Sequence, residues 1–175
     1  MSSSPRILLF TGDGKGKTTA ALGMALRASG HGLSVGMVQF VKGDSSVGEL
    51  AATREFPRIK IVQAGLGFLP PAGDPRLAGH HAAARQGLRL AAEMIAGGQF
   101  DMLILDEICL AVARGLLEEG EVEEVLQSAR PEMCLVLTGR QATPGLVALC
   151  DTVTEMRCVK HALAAGRAAE KGVEL

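Results

Sequence analysis

The chain has no tryptophan, no tyrosine and only five phenylalanines in 175 residues. Proteins that hold single-stranded nucleic acid stack its bases on such rings, and little ring surface exists here. A surplus of positive charge is missing too: 18 Lys and Arg face 19 Asp and Glu, for a formal charge of −1. With a pI near 6.4, the broad basic footprint of a nucleic-acid binder is excluded. No segment approaches the eighteen or so apolar residues of a membrane span, and "MSSSPR" holds no apolar signal-peptide core. Neither nucleic acid nor membrane is an expected partner, and the expected location is cytoplasmic. The cysteines, Cys109, Cys134, Cys150 and Cys158, offer no C-x-x-C pair and no zinc spacing. Three lie in or beside apolar runs, so they read as buried free thiols in a reducing compartment. No G-x-S-x-G nucleophile elbow occurs. His80 and His81 are adjacent, face apart on a helix, and read as surface or helix-face residues rather than as a metal pair.

What is present is an ordinary globular composition, 47% hydrophobic and 21% charged. The length suits one domain spanning residues 1–175, which would bury about 70% of its unfolded surface. Short apolar runs alternate with longer helical patterns. Strands are expected at Ile7–Phe10, Leu33–Val41, Ile59–Val62, Met102–Leu105, Met133–Thr138 and Thr152–Met156. Most of these are continuous rather than alternating, as in strands covered on both faces. Helices are expected at Lys17–Ser29, Val47–Glu55, Pro75–Ala96, Ile108–Leu117, Glu121–Ala129 and Gly145–Leu149. That order predicts an α/β fold of three layers with a mostly parallel central sheet of about six strands. Ligands of such sheets sit beyond the carboxyl ends of the strands.

Three polar clusters fall at those ends: "TGDGKGKT", "DEI" and "TGR". The first matches the phosphate-binding template G-x-x-x-x-G-K-[ST] on Gly16, Lys17 and Thr18, with Thr11 where the template has its first glycine. Gly12, Gly14 and Gly16 leave room for backbone N–H groups to turn inward, and the following helix adds its positive end. Lys17 would reach the outer phosphates and the Thr18 hydroxyl would bind Mg²⁺. "FDMLILDEI" ends an apolar strand in Asp106 and Glu107, the pattern of a P-loop protein holding Mg²⁺ directly or through water. On an extended strand the two carboxylates point to opposite faces, one toward the metal and one toward a water, a hydroxyl or a helix start. Arg140 lies past a strand end, where a phosphate contact and an ordinary surface arginine are comparable readings. Phe68, between Gly67 and Leu69-Pro70-Pro71, either plugs its loop against the core or lines a pocket for a large flat ligand.

Taken in order, "FTGDGKGKTTAALGMALRASGHG", "VQFVKG", "GLGF", "LILDEI", "RPE…LVLTGR" and "DTVTEMRCVKHALAAGRAAEKGVE" resemble the ATP:corrinoid adenosyltransferases of the CobA/BtuR/CobO type. The resemblance runs from about Ile7 to Glu174, and the family tolerates a threonine at the position of Thr11. It implies a RecA-like P-loop NTPase fold and transfer of the 5′-deoxyadenosyl group of ATP to a cobalt(I) corrinoid, with release of triphosphate. It implies catalytic roles for Lys17, Thr18 and Glu107. Nucleotide or corrinoid contacts are implied for Gly12, Asp13, Gly14, Lys15, Gly16, Lys17, Thr18, Thr19, Phe68 and Arg140. Metal contacts, to Mg²⁺ or Mn²⁺, are implied for Thr18, Asp106 and Glu107. A homodimer, and a reductase or flavin donor supplying Co(I), belong to the same expectation. Relatives with long N-termini cover the corrinoid with that segment; here a handful of residues precede the first strand, so capping is expected from elsewhere. Relatives also place an aromatic two positions after the phenylalanine of Gly-x-Gly-Phe, where this chain has Pro70. That departure implies a preference for corrinoids lacking a lower ligand. The readings that compete are a P-loop NTPase or small-molecule kinase that cleaves the γ-phosphate, and a nucleotide sensor without turnover.

Overall fold

The computed structural model describes residues 4–162 and 166–173. Its centre is a sheet of β1 (Arg6–Thr11), β2 (Val35–Gln39), β3 (Ile59–Gln63), β4 (Met102–Asp106), β5 (Cys134–Thr138) and β6 (Thr152–Glu155). The strands lie in the order β3-β2-β4-β5-β1-β6. The expectation of a mostly parallel sheet is sharpened, because every pairing is parallel. Helices α1 (Lys17–Gly30), α2 (Gly48–Ala52), α3 (Leu77–Ala96), α4 (Ile108–Ala113), α5 (Glu119–Gln127) and α6 (Pro144–Ala148) connect the strands.

The continuous apolar runs are explained by cover on both sides. Leu103 and Leu105 of β4 join one core with Ala84, Leu88 and Ala91 of α3 and Val122 and Leu126 of α5. Met102 and Ile104 of the same strand face the opposite core, against Ala21, Ala25 and Ala28 of α1. Alanines at i, i+4 and i+7 give α1 a thin stripe that sits close to the sheet, and this fixes the loop at its N-terminus. Edge strand β6 departs from the pattern, with all four residues exposed.

Boundaries moved for local reasons. The strand expected over Leu33–Val41 is limited to five residues, and the helix expected at Val47–Glu55 divides into α2 and a 3₁₀ turn at Thr53–Glu55. α4 stops before Gly115, whose φ of 67° ends it. α5 begins two residues earlier than expected because Glu118 and Glu121 form a capping box. His80 is buried on the inner side of α3 rather than at the surface. Of the cysteines, Cys109 is buried, Cys134 and Cys150 are half-buried, and Cys158 is exposed.

Candidate nucleotide site

The phosphate-loop segment leaves β1 at Thr11 and enters α1 at Lys17. Thr11 is a paired strand residue, opposite Glu155 of β6, and its carbonyl accepts a hydrogen bond of 2.8 Å from the Met156 amide. No glycine is needed there, which explains the template mismatch in structural terms. Gly16 has φ 113° and caps α1, so its lack of a side chain is a backbone requirement. Gly12 and Gly14 answer a different need. A Cβ on Gly14 would stand 2.7 Å from the Met156 carbonyl oxygen and 2.8 Å from that of Arg157, and one on Gly12 would stand 2.5 Å from Met156. The Gly14 amide donates to Met156 O at 2.6 Å. That amide is spent on the "VTEM" strand end and does not turn inward, contrary to the expectation from sequence. Gly14→Ala should therefore cost about 1–3 kcal/mol through backbone overpacking. A thermal melt together with ATP titration checks this; an unchanged Tm would count against the close approach.

Lys17 is buried, and its Nζ donates to the carbonyls of Gly12 at 2.7 Å and Gly14 at 2.8 Å. Burial lowers its pKa, opposed by the negative charge of Glu107. The Thr18 hydroxyl donates to Asp106 Oδ1 at 2.7 Å. β5 lies between β1 and β4, and its last residue, Thr138, bridges the gap. The Thr138 hydroxyl donates to Asp106 Oδ1 at 2.8 Å and accepts from the Glu107 amide at 2.9 Å. Gln39 Nε2 donates to Asp106 Oδ2 at 3.3 Å. Asp106 is fully buried with both oxygens engaged.

Glu107 is not on an extended strand. Its φ of 63° places it in the left-handed region at the start of α4, which corrects the opposite-face reading. The turn brings its side chain into the wall of the cavity that Lys17 and Thr18 line. Its Oε2 is buried with no hydrogen-bond partner. Burial raises its pKa, and the neighbouring Asp106 charge raises it further, while Lys17, Arg140 and Lys42 oppose. An orphaned carboxylate oxygen beside a hydroxyl–carboxylate pair suits a hard divalent cation whose remaining ligands are waters and substrate phosphates. Among the described residues no three His, Cys, Asp or Glu side chains gather as a self-sufficient metal site. Such sharing with substrate is the habit of Mg²⁺.

The cavity measures about 810 Å³. Gly14, Lys15, Gly16, Lys17, Thr18, Thr19, Glu107 and Arg140 all reach its wall, so most of the expected contacts come together. Gly12 and Asp13 do not line the cavity; Gly12 is half-buried and Asp13 exposed. Apolar residues join the lining, among them Leu22, Leu26, Phe56 and Val173. Phe68 is outside this wall and fully exposed, so it does not plug its loop against the core. Beside it Pro70 is buried, its carbonyl accepting from Arg114 at 3.2 Å. Sequence reasoning missed Gln39, Thr138 and Met156 as parts of the site. A signal existed: Gln39 and Thr138, like Asp106, end a continuous apolar strand in a polar residue. Glu174 of the terminal motif lies outside the described residues.

A parallel sheet with Gly-Lys-Thr at the start of α1 and a buried aspartate under the threonine hydroxyl defines a P-loop nucleotide-binding protein of the α/β class. The family model for ATP:corrinoid adenosyltransferase BtuR/CobO/CobP matches residues 3–175. The chain belongs to that family. It is 44% identical over 170 residues to a corrinoid adenosyltransferase of Pseudomonas aeruginosa, covering 96% of this chain and 82% of the relative. A corrinoid adenosyltransferase of Escherichia coli K12 is 39% identical over 168 residues (96% and 84%). Corrinoid adenosyltransferase CobA of Salmonella typhimurium is 37% identical over 169 residues (96% and 84%).

Proposed function

We propose that this chain, acting as one P-loop domain, moves the 5′-deoxyadenosyl group of ATP onto a cobalt(I) corrinoid with the residues just described. Adenosyl transfer from ATP to a corrinoid is the activity of its family. The observation that carries the assignment of residues is the meeting of Lys17, Thr18, Glu107 and Arg140 in one cavity. In the reaction the cobalt electron pair forms the Co–C5′ bond while the C5′–O bond breaks, and triphosphate leaves with that bonding pair. Cobalt(I) is a strong nucleophile already, so the protein needs no acid–base pair to make one.

Its tasks are electrostatic and positional. Lys17, relieved of the Gly12 and Gly14 carbonyls, meets charge building on the triphosphate. Thr18 and Glu107, with Asp106 orienting the Thr18 hydroxyl, would hold Mg²⁺ or Mn²⁺, which supplies further neutralisation of the leaving triphosphate. Arg140 adds positive charge on the same wall. The apolar part of the lining fixes the nucleoside so that C5′ faces the corrinoid, a positioning gain of several kcal/mol in favourable cases, on the order of 7–11 at the limit. A cytoplasmic homodimer supplied with Co(I) by a reductase or flavin donor completes the reading. No helix among the described residues is long and apolar enough to cross a membrane.

The test is anaerobic: purified protein, MgATP and chemically reduced corrinoid, followed by absorbance and phosphate-product analysis. Loss of the Co(I) spectrum with a light-sensitive alkylcorrinoid and triphosphate is the expected result. ADP formation indifferent to corrinoid would leave an NTPase, and unchanged ATP a sensor.

Phe68 is assigned to the corrinoid, because a fully exposed ring on a loop at the carboxyl edge has no role in the core. Phe68→Ala should reduce turnover several-fold with ATP affinity unchanged. The reduction should be larger for a corrinoid carrying its lower base if the ring helps displace that ligand. Equal losses of ATP and corrinoid binding would overturn the assignment.

A further inference from the structure

The segment "VQFVKG" contributes a cation that the reading above leaves idle. Lys42 follows β2 and lines the nucleotide cavity with Lys17 and Thr18. Its Nζ lies 2.7 Å from Glu49 Oε1 and 3.9 Å from Asp106 Oδ2, the carboxylate that accepts from Thr18. The lysine side chain is one-third exposed and Glu49 only 15%, so the pair is open to solvent on the lysine side.

Lys42 makes the shorter contact to Glu49 and helps to keep that carboxylate charged, but each oxygen it approaches has a second donor. Gln39, fully buried on β2, donates Nε2 to Glu49 Oε1 at 3.2 Å and to Asp106 Oδ2 at 3.3 Å. The orientation of that amide is fixed in turn, since Gln39 Oε1 accepts from Gln63 Nε2 at 3.1 Å. Lys42 can therefore depart without leaving a carboxylate oxygen that lacks a donor. Its backbone, by contrast, is held. The Gly67 amide donates to Val41 O at 2.8 Å, and a Cβ on Gly43 would stand 2.6 Å from Gly65 O. A fixed Cα, a long flexible side chain and two carboxylates already served by Gln39 describe a cation free to exchange partners. The incoming charge would be the phosphate chain, since the loop residues line the same cavity as Lys42.

We propose that Lys42 is a second phosphate-binding lysine: its ammonium leaves Glu49 for the phosphate chain of the bound nucleotide, while Gln39 keeps Glu49 and Asp106 in place. This rests on the cavity being the nucleotide site. The Val41–Gly67 hydrogen bond also ties the Lys42 loop to the loop that carries Phe68, so the two segments share one support.

Equilibrium binding of ATP, tripolyphosphate and adenosine tests it in the wild type, Lys42→Met, Lys42→Arg, Glu49→Gln and the Lys42→Met/Glu49→Gln double variant. Lys42→Met should weaken ATP and tripolyphosphate roughly tenfold, the size of one charge-assisted hydrogen bond, and leave adenosine unchanged. Lys42→Arg should keep most of the affinity. Glu49→Gln should bind ATP as tightly as the wild type or more so, and the double variant should stay as weak as Lys42→Met. A structural ion pair predicts the reverse: both single variants weak and the double variant restored, which would overturn the proposal. Equal losses for adenosine and ATP would overturn it as well. Lys17→Ala is the separate control. If it bound ATP and tripolyphosphate like the wild type, the reading of the cavity itself would fail, whatever Lys42 did.

Discussion

Lys17→Ala is expected to lower ATP-dependent turnover by about a hundredfold or more, the scale seen when one preorganised charge or donor is removed from a transition state. Two effects add. The ammonium is a buried cation held inside the loop, and it is also the brace that holds the Gly12 and Gly14 carbonyls in the absence of nucleotide. Removing it leaves those carbonyls without that donor and the loop without its central support. ATP affinity and kcat should both fall, and Lys17→Arg should not rescue, because a forked guanidinium does not fit where one nitrogen spans two carbonyls. Steady-state kinetics with triphosphate as the readout decides the matter. A variant that kept turnover within a few-fold of the wild type would remove Lys17 from the catalytic set.

Glu107→Gln should reduce kcat/KM for MgATP by roughly tenfold to a hundredfold, in the range found for groups that hold a metal or its ligands. The pH dependence follows from the raised pKa. In the free protein Glu107 accepts a proton at higher pH than an ordinary glutamate, because burial and Asp106 disfavour its charge. A carboxylate needed for a cation is lost when protonated, so kcat/KM should fall as pH drops through that raised value. The glutamine variant should lack this limb.

Stability moves the other way. Between the unfolded pKa and the raised folded one, the folded state binds more protons than the unfolded state. Stability is therefore full below the unfolded value and falls as pH rises toward the folded one. Once pH exceeds the raised folded value, the ionised Glu107 weakens the nucleotide-free fold, and there Glu107→Gln should raise Tm while damaging activity. Thermal melts across pH, set beside the kinetics, check both signs. A variant with a lower Tm above that value and an unaltered pH profile would sink the assignment.

These expectations draw unequally on sequence and on structure. The alternation of β1, α1 and β2, the Gly-Lys-Thr at the start of α1, and the Asp106–Glu107 pair at the end of β4 were legible directly. Each depends on a few neighbouring residues: apolar runs for strands, helical periodicity for cover, glycines and a lysine for a phosphate loop. The order of motifs along the chain was enough to indicate the family.

What each polar residue touches was decided elsewhere in the chain. Gly14 needs to be glycine because the backbone of Met156 and Arg157 passes over it, and local sequence does not reveal that approach. Glu107 turns into the cavity because its amide is taken by Thr138, 31 residues away, and its backbone adopts the left-handed conformation at the end of the strand. Thr18 meets Asp106 across 88 residues, and only the insertion of β5 between β1 and β4 supplies the bridging hydroxyl. The sequence determined the elements and the chemistry available, because those follow from short-range pattern. Strand order and register determined which donors meet which acceptors, because parallel strands bring together residues that are far apart in the chain.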